Sequence, residues 1–113
     1  MSNDQLYKGN LVAIILKLLK DNGRMYGYEI TREVEKSTSG NLIITEGALY
    51  PTLHKLEAKG MVDVEMRVVN NRTRKYYFLT PKGKTQTEET LEEMKNYLQN
   101  MELLFNPAIQ TVK

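Results

Sequence analysis

Apolar and polar positions fall into different rhythms along this chain, and each rhythm predicts an element. From Leu11 to Leu19 every position is apolar except Lys17. With Leu6 and Tyr7 added before it, the pattern is too long and too rich in leucine for a buried strand, and predicts a helix buried on most sides. Asp21-Asn22-Gly23 breaks it. A second helix opens at Met25-Tyr26-Gly27-Tyr28-Glu29-Ile30 and runs to about Thr38. Gly27, Ile30 and Val34 share its inner side, and Glu29, Arg32, Glu33 and Lys36 face water. Ser39-Gly40-Asn41 ends it.

The third helix, Thr45 to Lys59, has a narrow inner stripe of Leu49, Leu53 and Leu56 at i, i+4 and i+7. Its outer face presents Gly47, Pro51, His54 and Ala58, flanked by Tyr50 and Lys55, with Ala48 on the shoulder. Thr45 follows the extended run Leu42-Ile43-Ile44 as an N-cap, and Gly60 is a stop. Pro51 costs one helical hydrogen bond and is expected to bend the first turns. An exposed helix carrying both a glycine and a proline is poorly built for stability alone, so the low outer face is assigned to close approach by a partner. Two β-rich runs follow, Val62 to Val69 and Arg74 to Thr80, joined by a loop Asn70-Asn71-Arg72-Thr73.

Helix, turn, helix and hairpin are the layout of a winged helix-turn-helix, in which the second helix of the pair enters the major groove and the wing touches phosphate. The charge supports it: Arg67, Arg72, Arg74 and Lys75 fall in one stretch without an acid, whereas the whole chain carries only +2. The expected fold class is mainly α with a small β-hairpin.

The last helix takes Thr80 as N-cap and Pro81 at its first position, and runs to about Leu104 before Asn106-Pro107. Leu91, Met94, Leu98, Met101 and Phe105 repeat at spacings of 3, 4, 3 and 4. That is a heptad seam, and nothing else in the chain is long enough to be its coiled partner, which points to a homodimer. The competing reading is an ordinary core helix packed on Leu11 to Leu19, and both can hold on different faces. Glu88, Glu89, Glu92 and Glu93 turn the outer face acidic, away from DNA. The expected division is residues 1–80 for DNA binding and residues 81–113 for the dimerisation helix and tail, within one compact unit.

Composition removes other classes. At 113 residues there is room for one modest core. No cysteine and a single histidine leave no disulfide framework, thiolate nucleophile or multi-histidine metal site, and there is no Gly-rich phosphate loop, so neither an enzyme nor a cofactor is expected. The opening MSNDQLYKGN lacks a signal-peptide pattern, and the longest apolar run, Leu11 to Leu16, is far short of the roughly 20 residues of a membrane span. A soluble, cytoplasmic protein without membrane association is expected.

Three blocks, YGYEI at Tyr26 to Ile30, EGALYPTLHKLEAKGMV at Glu46 to Val62 and RKYYFLTPKG at Arg74 to Gly83, resemble the PadR-type bacterial transcription regulators in order and spacing. The resemblance covers roughly residues 10 to 105. It implies a dimeric winged-helix protein on double-stranded DNA, a repressor released by a small molecule. A single long C-terminal helix resembles the family's small subgroup. The family's hydrophobic pocket near the dimer axis takes planar or phenolic effectors; the corresponding candidates are Leu11, Ile15, Met94, Tyr97 and Met101, which plain core packing would equally explain.

The candidate DNA contacts are then Thr45, Gly47, Ala48, Tyr50, Pro51, His54 and Lys55 on the third helix, Tyr26 at the start of the second, and Asn71, Arg72, Thr73 and Arg74 on the wing. Each has a plainer alternative. His54 can be a solvated helix residue, the basic wing a solvated turn, and the tyrosines core aromatics with exposed hydroxyls. Tyr50 is assigned to a phosphate and Tyr28 to the core. The competing function is a winged helix that binds protein instead of DNA. It is disfavoured because Glu46 and Glu57 are the only acids near the outer face, and they lie at its margins. A two-fold dimer implies an inverted-repeat operator.

Overall fold

The computed structural model describes residues 7–107; Leu6 and the outer ends of the two expected regions, 1–6 and 108–113, lie outside them. The elements are α1 (Leu11–Asn22), β1 (Arg24–Tyr26), α2 (Gly27–Ser37), α3 (Glu46–Ala58), β2 (Val62–Val69), β3 (Arg72–Leu79) and α4 (Pro81–Phe105). The fold is a winged helix-turn-helix with a long C-terminal helix, as the sequence predicts.

The core forms around α1. Leu11, Ile15, Leu16 and Leu19 are sealed, and they pack in one cluster with Ile30 and Val34 of α2, Leu49, Leu53 and Leu56 of α3, and Val62, Tyr77 and Leu79 of the sheet. α1 is not apolar to every side in effect, since Val12 is exposed and Ile14 and Leu18 only partly covered. It also runs on to Asn22, beyond the predicted Leu19, because Gly23 in a left-handed conformation, φ +79°, supplies the stop.

Two boundaries differ from expectation. Met25 and Tyr26, read from sequence as the opening of the second helix, belong instead to the strand Arg24–Tyr26, which pairs antiparallel with β3 and gives the order β1-β3-β2. Met25 faces the core there opposite Tyr77, and helix α2 begins only at Gly27. The hairpin loop is also shorter. Arg72 and Thr73 belong to β3, so Asn70 and Asn71 alone make the turn, both at positive φ (52° and 64°). Two consecutive left-handed residues match the right-handed strand twist, and asparagine tolerates them best after glycine.

Strand alternation gives the sheet two faces. Val62, Val64, Tyr77, Leu79 and Met25 face the helices. The opposite face stacks cations on rings: Arg24 lies 4.3 Å from the Phe78 ring, Arg67 5.2 Å from Tyr76 and Arg74 4.5 Å from Tyr26.

α4 is anchored by its first turns, where Gly83 and Thr87 are buried and Lys20 of α1 pairs with Glu88 at 3.0 Å. Further along, α1 and α4 leave an open apolar groove of about 1050 Å³, lined among others by Ala13, Ile14, Leu91, Met94, Leu98 and Leu103. Along the heptad seam Leu91, Met94 and Met101 are half-covered, while Leu98 and Phe105 are 58% and 75% exposed.

Ile15→Ala should cost about 2–5 kcal/mol of unfolding free energy in a denaturant titration, because a fully buried β-branched side chain leaves a cavity. Val68→Ala, on the wing and 74% exposed, should change it by less than about 0.5 kcal/mol.

Candidate nucleic-acid interface

Helix α3 is presented by its stripe. Leu49, Leu53 and Leu56 are at most 2% exposed, which fixes its rotation and turns Gly47, Pro51, His54, Lys55 and Ala58 outward, all exposed. Thr45 caps it: its hydroxyl accepts from Ala48 N–H at 3.3 Å, and its own N–H donates to the Tyr7 hydroxyl at 3.3 Å. Thr45 is thus held from both sides while staying exposed. Ala48 is half-covered against the core.

Tyr50 has a second duty. Its ring and hydroxyl press on Gly27 at the start of α2, where a Cβ would collide with them. Partial burial, then Glu46, then Tyr77 hold its hydroxyl above the ordinary tyrosine pKa, so it stays a neutral donor. The same residue therefore locks α2 to α3 and borders the outer face. The His54 ring sits one turn on, 6.5 Å from that of Tyr50.

Tyr26 ends β1 and precedes α2. Glu29 accepts its N–H at 3.1 Å, satisfying one of the free donors at the helix start. Its ring lies edge-on to Tyr76 at 5.3 Å, stacks at 6.3 Å on Tyr28, and carries the Arg74 guanidinium. Tyr28, assigned from sequence to the core, is 59% exposed, with Arg32 5.8 Å from its ring. The reason is the helical period: with Gly27, Ile30 and Val34 buried on the inner side, as expected, Tyr28 is rotated out of that face.

The wing's charge is less free than its composition suggests. Glu65 binds Arg67 at 2.8 Å and Arg24 at 3.2 Å, and Glu57 of α3 binds Lys75 at 3.6 Å. These pairs are half exposed and each contributes little stability, but two carboxylates engage three of the cations and cancel two of their charges locally. Among the described residues no ion pair involves Arg72 or Arg74. Arg74 is held above the ordinary guanidinium pKa, chiefly by donating to the Tyr76 hydroxyl, and by Tyr26, Tyr76 and Glu29 nearby. Arg72 and Thr73 are exposed at the tip beside Asn71. The structure thus brings Tyr26, Tyr50 and Arg74 together around the start of α2, with the α3 outer face on one side and the wing tip on the other.

Sequence reading missed this aromatic and cationic seam, because a three-residue strand such as β1 is too short for its alternation to register. The partnering of Glu65 could have been found, since it lies two residues before Arg67 and so on the same strand face. Of the residues offered for an effector pocket, Met94 lines the α1–α4 groove; Leu11 and Ile15 are sealed in the core, while Tyr97 and Met101 lie on α4 outside that lining. Among the described residues no group of side chains could hold a metal ion, and no helix is long and apolar enough to cross a membrane.

The profile of the PadR-like transcriptional regulator family matches residues 15–89. A transcriptional regulator of Mycobacterium tuberculosis is 39% identical over 83 residues, 71% of this chain and 74% of its own length. A transcriptional regulator from Clostridium thermocellum superposes with a TM-score of 0.75 at 28% identity, over 96% of this chain and 99% of that one. Bacillus subtilis PadR, in complex with operator DNA, superposes at 0.64 and 28% identity over 72% of this chain and 46% of that longer one.

The Gly27–Tyr50 contact yields a double-mutant test. Gly27→Ala should destabilise by about 1–3 kcal/mol through overpacking, and the same change placed on Tyr50→Leu should cost measurably less. Equal costs in the two backgrounds would show that the ring and the glycine are not coupled.

Proposed function

Because this chain belongs to the PadR-like family of transcriptional regulators, we propose that it reads double-stranded DNA as a homodimer, α3 entering the major groove and the wing lying on phosphate. The observation that carries this reading is the pairing pattern on the wing. Acids pair with Arg24, Arg67 and Lys75 and form no ion pair with Arg72, exposed at the tip, or Arg74, held on the Tyr26 ring, among the described residues, beside a helix whose outward positions do no packing. A protein-binding winged helix would be expected to offer aromatic or aliphatic anchors on that face; Gly47, Pro51, His54, Lys55 and Ala58 offer none.

The roles divide by region. Residues 1–80 bind DNA, with Thr45, Gly47, Ala48, Pro51, His54 and Lys55 on the groove side. Tyr26, Tyr50, Asn71, Arg72, Thr73 and Arg74 lie along the phosphate backbone. Residues 81–113 hold the second copy through Leu91, Met94, Leu98, Met101 and Phe105, whose uncovered surface favours a partner helix. The protein acts as a repressor in the cytoplasm. A planar or phenolic effector would release it by entering the α1–α4 groove against Met94, near Tyr97 and Met101.

Phosphate contacts carry affinity without sequence information, whereas groove contacts carry preference. Arg72→Ala and Arg74→Ala should therefore weaken binding to operator and scrambled duplexes alike and lower the salt slope by about one unit per lost contact. Gly47→Glu should abolish operator preference while leaving part of the non-specific attraction, and His54→Ala should relax preference at few positions. Titrations of both duplexes at several salt concentrations read all four; a Gly47→Glu protein that still prefers the operator would remove α3 from the groove and favour the protein-binding module.

Leu98→Glu places a charge on the seam where the side chain is already solvent-facing in one copy. It should give a folded monomer in sedimentation. A folded Leu98→Glu dimer would refute the seam as the interface.

A further inference from the structure

The last turn of α3 closes on local N–H donors, and the carbonyls of the three residues that follow it, Lys59, Gly60 and Met61, take theirs from the start of α4. The chain leaves α3 through Gly60 at φ +75°, with Gly60 N–H on Glu57 O and Met61 N–H on Leu56 O, both 3.0 Å. The next carbonyls are then claimed from across the hairpin. Lys82 Nζ donates to Lys59 O at 2.8 Å, and the Thr80 hydroxyl to Gly60 O at 2.6 Å. Met61 O receives the Thr80 N–H at 3.1 Å, with the Thr80 hydroxyl 3.2 Å away. The oxygen of that hydroxyl also accepts Gly83 N–H at 3.0 Å as the N-cap of α4. Gly83 completes the fit, since a Cβ there would strike the Met61 carbonyl. The N-terminal turn of α4 thus supplies donors to the chain leaving α3, with an ammonium at the negative end of the α3 dipole. Among the described residues these are the hydrogen bonds that tie the C-terminal end of α3 to α4.

We propose that Thr80, Lys82 and Gly83 are positioning residues that fix the angle between the reading helix and the dimerisation helix, and so the half-site spacing this regulator accepts. The inference rests on the dimeric reading above. If α4 joins the two copies, the separation of the two α3 helices is set by how rigidly each α3 is fastened to its α4. Changing the spacing by one base pair turns one half-site by about 35° and slides it by about 3.4 Å. A stiff clasp cannot follow that displacement and loses contacts, whereas a loosened one can.

The experiment takes the tightest duplex from a selection of randomised inverted repeats and varies its central spacing by −1, +1 and +2 base pairs. The full-length parent should prefer one spacing by at least about tenfold, the scale of one mismatched contact. Lys82→Met, an exposed side chain whose loss leaves the core intact, combined with Thr80→Val should bring neighbouring spacings to within about threefold. Gly83→Ala should flatten the preference or move its optimum. Lys82→Arg should keep the parent profile. Base preference within one half-site should be the same in all of them, which a general loss of stability would not produce. A dimeric parent with folded variants that retain its spacing profile overturns the inference alone. A parent that sediments as a monomer, or that shows no base preference, overturns the dimeric DNA-binding reading and this inference with it.

Discussion

Everything on the proposed DNA side depends on one line of apolar contact, Leu49, Leu53 and Leu56 of α3 sealed into the cluster that α1 organises. Three leucines on one side of a helix fix its rotation within a fraction of a turn, because any roll exposes one of them to water at roughly 25 cal/mol per Å² of apolar surface. The outer positions are then determined with no interaction of their own. They can be small, charged or helix-breaking without loss of the fold, provided the stripe holds. Stability and the proposed recognition lie on opposite sides of the same helix, so substitutions on the outer face should leave stability nearly intact.

Rotation is only one of the freedoms a reading helix must lose. Tyr50 against Gly27 fixes α3 to α2 near its front end, and the hydrogen bonds from Thr80 and Lys82 fix its back. Both devices put a glycine where a side chain would collide, with the Tyr50 ring at Gly27 and with the Met61 backbone at Gly83, so close approach to the glycine is what fixes the geometry. The pairing of Lys75 with Glu57 ties the hairpin to the back half of α3. α3 is thus held at its front by α2, along its length by α1, and at its rear by the wing and α4.

The elements legible in the sequence were those with a long period or an unambiguous boundary. The run Leu11 to Leu19, the leucine stripe of α3, and Thr80-Pro81 at the start of α4 all fall where periodicity and capping place them. Legibility failed where the deciding interaction joins residues far apart. β1 exists because Met25 completes the core opposite Tyr77, and those residues are brought together by the fold, not by proximity in the chain. Tyr28, by contrast, was legible and misassigned, since the inner face of Gly27, Ile30 and Val34 already turns it to solvent. The wing's charge was read as a sum when the structure makes it a pattern, in which Glu65 and Glu57 select the cations that remain available. The hairpin boundary moved for a local reason, since paired asparagines can close a turn in two residues and free Arg72 and Thr73 for the strand.

The glycines separate what the fold requires from what it does not. Gly27 and Gly83 are required by contact, because a methyl group at either would meet a neighbouring ring or carbonyl. Gly60 is required by its left-handed backbone. Gly47 satisfies neither condition: it lies in the first turn of α3 at ordinary helical φ, and the nearest atom to a Cβ there is Thr45 Oγ1 at 4.0 Å. Glycine in a helix costs up to about 1 kcal/mol relative to alanine, and the fold obtains nothing in return at this position. The structure therefore gives Gly47 no role in packing, and its low, open face is what the proposed reading needs, since a groove edge pressed against α3 would come within backbone distance there.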